Sequence, residues 1–458
     1  MIILFPDELI VKNTTNIKYQ QAEVQPSAPI LEPKFHWELP RINMYGSVVK
    51  TKNGYEMYYQ CGNALRIGYA VSVDGLNWER PMINSTDFNG PPQQIIPDCG
   101  ETACQGVPVL KEGQELTNLV AGYHMPSIIH DAKSTKPYKL FAFGEEGYRV
   151  LFSANGKQFS EYPVNPAIEL LTYKNSYTNK IWCSDVAPCI QDGQGYTAMV
   201  KTYIIDEQNR TRRCVGRSTS NDFEEWSEVE TIWIPGASED AIANCRGYKW
   251  ADFYGLCPFR YGNGYLGFLW LFEIEKELPH GTNLGKIEVF LAYSPDGKQW
   301  NRIQDKPLIP WDLNFGDEGG MVTTPSAPIF DEGEIKLYYS DCNYEHGYAE
   351  KDFTKPIAEP TWVVRCARLK KERLVGAHSN NGLIVLKAVN FQQGRTRFNV
   401  SCESGAVHLE YRKAGELIST QKIENIDQTD FWLESPKSSD IELSIRLNHA
   451  TLYAIEVS

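Results

Sequence analysis

Residues 287–300 read I-E-V-F-L-A-Y-S-P-D-G-K-Q-W. The apolar residues in the first half alternate with a period of two, as in a strand with one buried face. Ser294-Pro295-Asp296-Gly297 then supplies a hairpin turn. Trp300 follows at a distance that lets it fold back over the strand. The same pattern stands at 68–78 (G-Y-A-V-S-V-D-G-L-N-W) and, weaker, at 148–159 (Y-R-V-L-F-S-A-N-G-K-Q-F) and 215–226 (V-G-R-S-T-S-N-D-F-E-E-W). The turn serines are Ser72, Ser153, Ser220 and Ser294, a period of about 70 to 80 residues, which marks a repeat architecture.

Around each hairpin the chain shows a four-part β unit. The units begin near 47–50, 127–130, 186–190, 256–261 and 327–330. Each continues through an aromatic strand (55–60, 138–143, 196–201, 265–270, 335–340); the last unit closes with 362–369 and 374–376. Five units of four antiparallel strands predict an all-β fold, a five-bladed β-propeller over 41–376. No segment keeps a 3.6-residue period, so little helix is expected. After 376 the aromatic hairpins stop, and alternating runs separated by Gly, Asn and Asp turns predict a C-terminal β-sandwich over 377–458. Residues 1–40 read as a lead-in segment laid over the body.

The 458 residues would ordinarily suggest several domains, but blades share one core. A net charge of -13 argues against nucleic acid and anionic membrane as partners. The longest apolar run falls far short of a membrane span. The N-terminus M-I-I-L-F-P-D-E-L lacks a basic region and is broken at Pro6, so no secretory leader and a cytoplasmic setting are expected. The eleven cysteines have no disulfide-framework or C-x-x-C spacing and read as free thiols.

Propeller geometry ranks the candidate residues. Segments before each inner strand and after each second strand meet at one rim of the central channel, and the S-x-D-G hairpins lie at the other. The rim positions include Tyr45, His124, Asp185, Asp252, Tyr254, Glu273, Glu318, Asp341 and His346, with Trp182 close by. Carboxylates crowded into a concave site push one another's pKa values apart, as glycoside hydrolysis requires. Aromatic rings suit the apolar face of a sugar. The hairpin acids Asp74, Asp222 and Asp296 are read instead as turn formers.

The stretches S-V-V-K-T-K-N-G-Y-E-M-Y-Y-Q, I-G-Y-A-V-S-V-D-G-L-N-W-E-R-P and F-L-A-Y-S-P-D-G-K-Q-W-N-R resemble the five-bladed propellers of the arabinanase, levansucrase and invertase superfamily. That superfamily includes glycoside hydrolase families 32, 43, 62 and 68. L-F-P-D-E-L-I, D-F-Y-G, G-F-L-W, Y-Y-S-D-C-N-Y-E-H-G and R-L-V-G-A-H-S-N-N-G-L-I-V-L further resemble a bacterial glycosyl-hydrolase-like group with a C-terminal sandwich. The resemblance implies a glycosidase acting on an oligosaccharide or a glycoside such as a furanoside. It does not carry over cleanly. Met44 in R-I-N-M-Y-G-S stands where invertase-like enzymes have the nucleophilic Asp of W-M-N-D-P-N-G. S-D-V gives Asp185 as the match to their R-D-P, and L-C-P at 256–258 lies one blade late for their E-C-P.

The expected catalytic set is therefore Asp185 and Asp252, with Glu318 as proton donor. Tyr45, His124, Trp182, Tyr254, Glu273, Asp341 and His346 are expected to bind a carbohydrate substrate. No cofactor or catalytic metal is called for; a structural calcium ion has the carboxylates but no ligand spacing to support it. A non-catalytic carbohydrate-binding propeller is the main rival, favoured by Met44. A phosphorylase would need a phosphate site from residues such as Arg149, Arg217 and Arg246, which are scattered in sequence. A sialidase would need an arginine triad that the sequence does not display.

Overall fold

A computed structural model describes residues 2–62, 64–87, 95–97, 114–144, 146–170, 172–174, 179–181, 184–193, 195–278, 283–347 and 361–457. Nearly all of the regular structure is strand. Five antiparallel sheets follow one another along the chain. The first comprises Ile42–Thr51, Gly54–Cys61, Arg66–Ser72 and Leu119–Ala121. The second comprises His124–His130, Tyr138–Gly144 and Gly147–Ser153, edged by Ser160–Glu161 and Ile168–Glu169. The third is built from Cys189–Asp192, Gly195–Ile205, Thr211–Ser220 and Glu230–Trp233. The fourth has Trp250–Tyr261, Gly264–Glu277, Asn283–Ser294 and Asn301–Arg302. In the fifth, Met321–Thr323 and Ile329–Phe330 pair with Glu334–Cys342, then come Trp362–Lys370 and Pro29–Leu31.

The repeated hairpins explain the regular spacing. The N–H of Gly75 donates to Ser72 Oγ at 2.8 Å, and the N–H groups of Leu76 and Asn77 donate to Asp74 Oδ1. Ser153 with Asn155, Ser220 with Asp222 and Ser294 with Asp296 repeat this arrangement. The fourth turn residue takes a left-handed φ of 77°, 73° and 74° at Gly75, Gly156 and Gly297. At the corresponding place Phe223 holds a φ of 71°, which a residue with a Cβ adopts only against strain. Its ring is fully buried against Phe152 and Tyr196, and that packing offsets the strain.

The leading strands of the sheets converge on small polar residues. Ser326 Oγ lies 3.1 Å from Ser47 Oγ and 2.9 Å from Ser127 Oγ, and the N–H of Cys189 donates to Ser127 Oγ at 2.8 Å. Here sheets one, two, three and five touch. Sheets four and five join directly where Ile287 pairs in parallel with Met321. A cavity of about 10 Å³ remains at this centre, lined by Tyr45, Met125, Val186, Cys257, Trp270 and Ser326. It has room for roughly one water.

Two further sheets hold the C-terminal core, in which Ile384, Phe398, Leu409, Leu443 and Leu452 are fully buried. The first 21 residues pair with this unit, whereas Pro29–Leu31 belongs to the fifth sheet and Trp37 packs in the core of the first. Ile2–Leu4 pairs with Ala450–Val457, Val11–Thr15 with Gly382–Leu386, and Lys18–Gln21 with Val375–Ser379. The outer strand of the fifth sheet is likewise not 374–376. Val375–Ser379 has joined the C-terminal unit, and Pro29–Leu31, far upstream, fills the vacant edge. An unfilled edge exposes a row of backbone donors and acceptors, so a strand from either end of the chain satisfies it.

Helix is sparse, as expected. Ala237–Cys245 is nine residues long, and Glu239 Oε2 accepts the N–H of Gly236 at 2.7 Å to close its first turn. No helix among the described residues is long and apolar enough to cross a membrane.

Candidate functional site

Three of the five sheets carry a register slip in their leading strand. In the first, the register slips between Asn43 and Ser47; in the second, between His124 and Ser127; in the fourth, between Phe253 and Gly255. Such bulges re-aim side chains that a regular strand would point elsewhere. Here they present Tyr45, His124 and Tyr254. Met125 takes a positive φ of 52° inside its bulge, and Gln60 Oε1 fixes it by accepting its N–H at 2.6 Å. In the third sheet Asp185 stands just before the leading strand with a φ of 47°, and its own Oδ1 accepts the N–H of Val186 at 2.9 Å.

These residues form one continuous group. The ring of Tyr45 lies 6.2 Å from that of His124, 5.5 Å from Trp270 and 6.0 Å from Trp362. Tyr254 lies 6.5 Å from Trp270 and 5.2 Å from His346. His124 Nε2 is 3.9 Å from Asp185 Oδ2. Lys201 Nζ contacts Asp185 Oδ1 and sits 4.2 Å over the Tyr254 ring. Asp185 keeps 23% of its side chain exposed, so the carboxylate still reaches solvent.

The electrostatics leave one anion among neutral rings. Burial pushes the Asp185 carboxyl up, but the Lys201 ammonium more than offsets it and holds the group below the usual carboxylate range. Burial likewise opposes the Lys201 charge, and Asp185 restores it. Burial lowers His124, and it lowers His346 to about 3, helped by the Arg213 charge. Both rings are therefore neutral near pH 7. Their Nδ1 atoms lie 2.7 Å from the carbonyls of Ala64 and Asn283, so Nδ1 carries the proton and Nε2 is an acceptor. Burial also keeps Tyr45 and Tyr254 as neutral phenols.

The site thus brings together Asp185, Tyr45, His124, Tyr254 and His346 among the predicted residues. The others are placed differently. Asp252 is fully buried, bonded by Arg212 Nε at 3.0 Å and Arg213 Nη1 at 3.2 Å. A carboxylate so engaged holds the arginines and has no face left for a substrate. Glu273 is fully buried and shares Arg246 with Glu288, at 3.2 and 2.5 Å. Asp341 is buried against Arg365 Nε at 2.7 Å, and Asn314 donates to its other oxygen at 2.7 Å. Glu318 is exposed on the 3-10 turn Gly316–Glu318. Trp182 lies outside the described residues.

Sequence reasoning passed over Lys201, Arg213 and Trp362. Lys201 had a signal: it is the one charge in the run Y-T-A-M-V-K-T-Y-I-I, and its strand buries it to 3% exposure. A lysine inside a buried strand requires an anion beside it. No group of three or more His, Cys, Asp or Glu side chains among the described residues is arranged to hold a metal ion.

No protein-family model matches the sequence, and no curated protein matches it. Solved structures give weak likenesses. An N-acetylgalactosamine deacetylase from F. plautii, in complex with blood group B trisaccharide, aligns with a TM-score of 0.44 at 13% identity, over 78% of this chain and 96% of that one. A family 43 arabinoxylan arabinofuranohydrolase from Bacillus subtilis aligns at 0.42 and 10% identity, over 94% and 99%. The family 32 β-fructofuranosidase of Bombyx mori aligns at 0.37 and 12%, over 95% and 94%. At these scores and identities the site is judged on its own residues.

Proposed function

We propose that this chain is a glycosidase that binds a glycoside at the group formed by Tyr45, His124, Tyr254, His346 and Asp185, with Asp185 as the reacting carboxylate. The observation that carries this reading is an ionised carboxylate, 23% exposed, set close to Tyr45 and Tyr254. Ring faces stack on a sugar's C–H surface, and acceptors at Asp185 Oδ2, His124 Nε2 and His346 Nε2 suit its hydroxyl groups. Lys201 keeps Asp185 anionic at neutral pH, as a nucleophile or a stabiliser of an oxocarbenium-like transition state must be.

The partner of such a group must release a proton to the leaving oxygen. Asp252, Glu273 and Asp341 are each engaged by an arginine. Glu318 has no ion pair among the described residues and is the proposed donor. Asp252 is proposed to act on the pocket indirectly, by holding Arg213.

A second reading is binding without cleavage. It is favoured by the buried Met44, which stands where the invertase-like enzymes that the sequence resembles carry their nucleophile, and by Asp185 having no second free carboxylate beside it among the described residues. Screening aryl pyranosides and furanosides for turnover, alongside titration with the same sugars, separates the readings. Turnover lost in Asp185→Asn and reduced in Glu318→Gln supports hydrolysis. Binding that needs Asp185, without turnover of any substrate, supports the second. If no glycoside binds or turns over, both readings fail.

A further inference from the structure

The cations around the pocket do not balance its anions. Lys201 is neutralised by Asp185. Arg213 is neutralised by Asp252, and Arg212, which shares that carboxylate, is also held by Asp206 and Asp240 at 3.3 and 2.8 Å. Arg41 is the exception. It sits just before the strand Ile42–Thr51, half-buried, with its guanidinium carbon 5.1 Å from the centre of the Trp362 ring. Trp362 in turn lies against Tyr45, so the guanidinium borders the same pocket. Its charge is felt at Tyr45 and His124. Its Nε is buried without a hydrogen-bond partner, and it forms no ion pair among the described residues.

A half-buried guanidinium with no anion beside it among the described residues gains only the contact with the Trp362 ring against the cost of its desolvation. A ligand that supplies the anion offsets that cost. A planar fork of donors matches a carboxylate, phosphate or sulfate with two parallel bonds. A chain with a net charge of -13 would otherwise repel such a ligand.

We infer that the pocket selects an anionic glycoside, one whose sugar carries a carboxylate or other acidic substituent, and that Arg41 is the residue that pairs with it. This rests on the reading of the pocket as a glycoside site. The sugar ring stacks beside Tyr45, its acidic group turns toward Arg41 and its hydroxyl groups toward Asp185. The two ends of the ligand are thereby told apart, since an acidic group at Asp185 would be repelled.

The test is calorimetric titration of the intact chain with methyl β-D-glucuronide and methyl β-D-galacturonide, with the uncharged methyl esters of the same sugars, and with 6-phospho and 6-sulfo glucosides. A charge-assisted hydrogen-bond pair predicts an acid-over-ester preference of about 10- to 100-fold, shrinking as salt is raised. Arg41→Gln should bring that ratio close to one, and Arg41→Lys should leave part of it. A preference for the phospho or sulfo sugar with the same dependence on Arg41 also supports the inference and identifies the acid. Equal binding of acid and ester, or a preference that survives Arg41→Gln, overturns it and leaves the glycoside site standing. The comparison within the unsubstituted chain decides the matter even if a variant fails to fold. Absence of binding by every glycoside, charged or neutral, overturns the inference together with the function it rests on.

Discussion

Lys201 contacts the Asp185 carboxylate from the next strand of the same sheet, with its other side over the Tyr254 ring. Neither group is tenable alone at this depth. The lysine is 3% exposed and would shed its charge without the aspartate, and the aspartate would take up a proton without the lysine. The pair therefore keeps the Asp185 carboxylate ionised beside buried aromatic rings.

Replacing Asp185 by Asn should cost stability as well as function, because it strands a buried ammonium; about 3 kcal/mol or more is expected at pH 7. The folded carboxyl is held below its unfolded value, so its contribution is complete above the unfolded range near 3.9 and is lost as pH falls through the lower folded value. Urea melts of the two proteins should differ by a constant amount from pH 5 to 7 and converge in stronger acid. A gap that widens in acid would contradict this.

Glu288 should behave in the opposite way. Burial, with the nearby Glu273 charge, pushes it up to about 8, although Arg246 pulls it down. Its folded value lies above its unfolded one, so stability declines as pH rises from roughly 4.3 toward 8. Glu288→Gln removes that titration and should gain on the parent chain across this window, by about 1 kcal/mol or more at pH 8. Equal pH profiles of stability for the two proteins would contradict it.

Asp252→Asn separates holding from catalysis. Two buried arginines lose their shared carboxylate, so a loss of about 3–5 kcal/mol is expected, read as a shift in the urea midpoint. A variant that keeps full stability while losing turnover would instead make Asp252 a catalytic group.

Removing residues 1–21 should unfold the C-terminal sheets rather than trim a tail. The deletion takes three strands from them, together with Ile3 and Phe5, both fully buried. Limited proteolysis should then cut readily within 382–457, where the full chain resists.

The fold was largely legible because its signal is repeated and local. The S-x-D-G turns use hydrogen bonds within four residues, which the sequence displays directly. The partners of Pro29–Leu31 and Lys18–Gln21 were not legible, since those pairings join residues more than 300 positions apart. Position along the repeated unit picks out Asp185, Tyr45, His124, Tyr254 and His346, which lie together in the structure. It failed to separate them from Asp252, Glu273 and Asp341, because what distinguishes these is an arginine on a neighbouring strand or helix end. The bulges that aim Tyr45 and Tyr254 also left no mark in the pattern of apolar residues.

The most direct test is a crystal of the protein soaked with the tightest-binding glycoside of the panel. The account predicts a sugar ring stacked on Tyr45, Trp270 or Tyr254, with a hydroxyl or the anomeric carbon within about 3.5 Å of an Asp185 oxygen. A sugar bound away from Asp185, or an Asp185–Lys201 pair closed off from a ligand that sits elsewhere on the molecule, would contradict it.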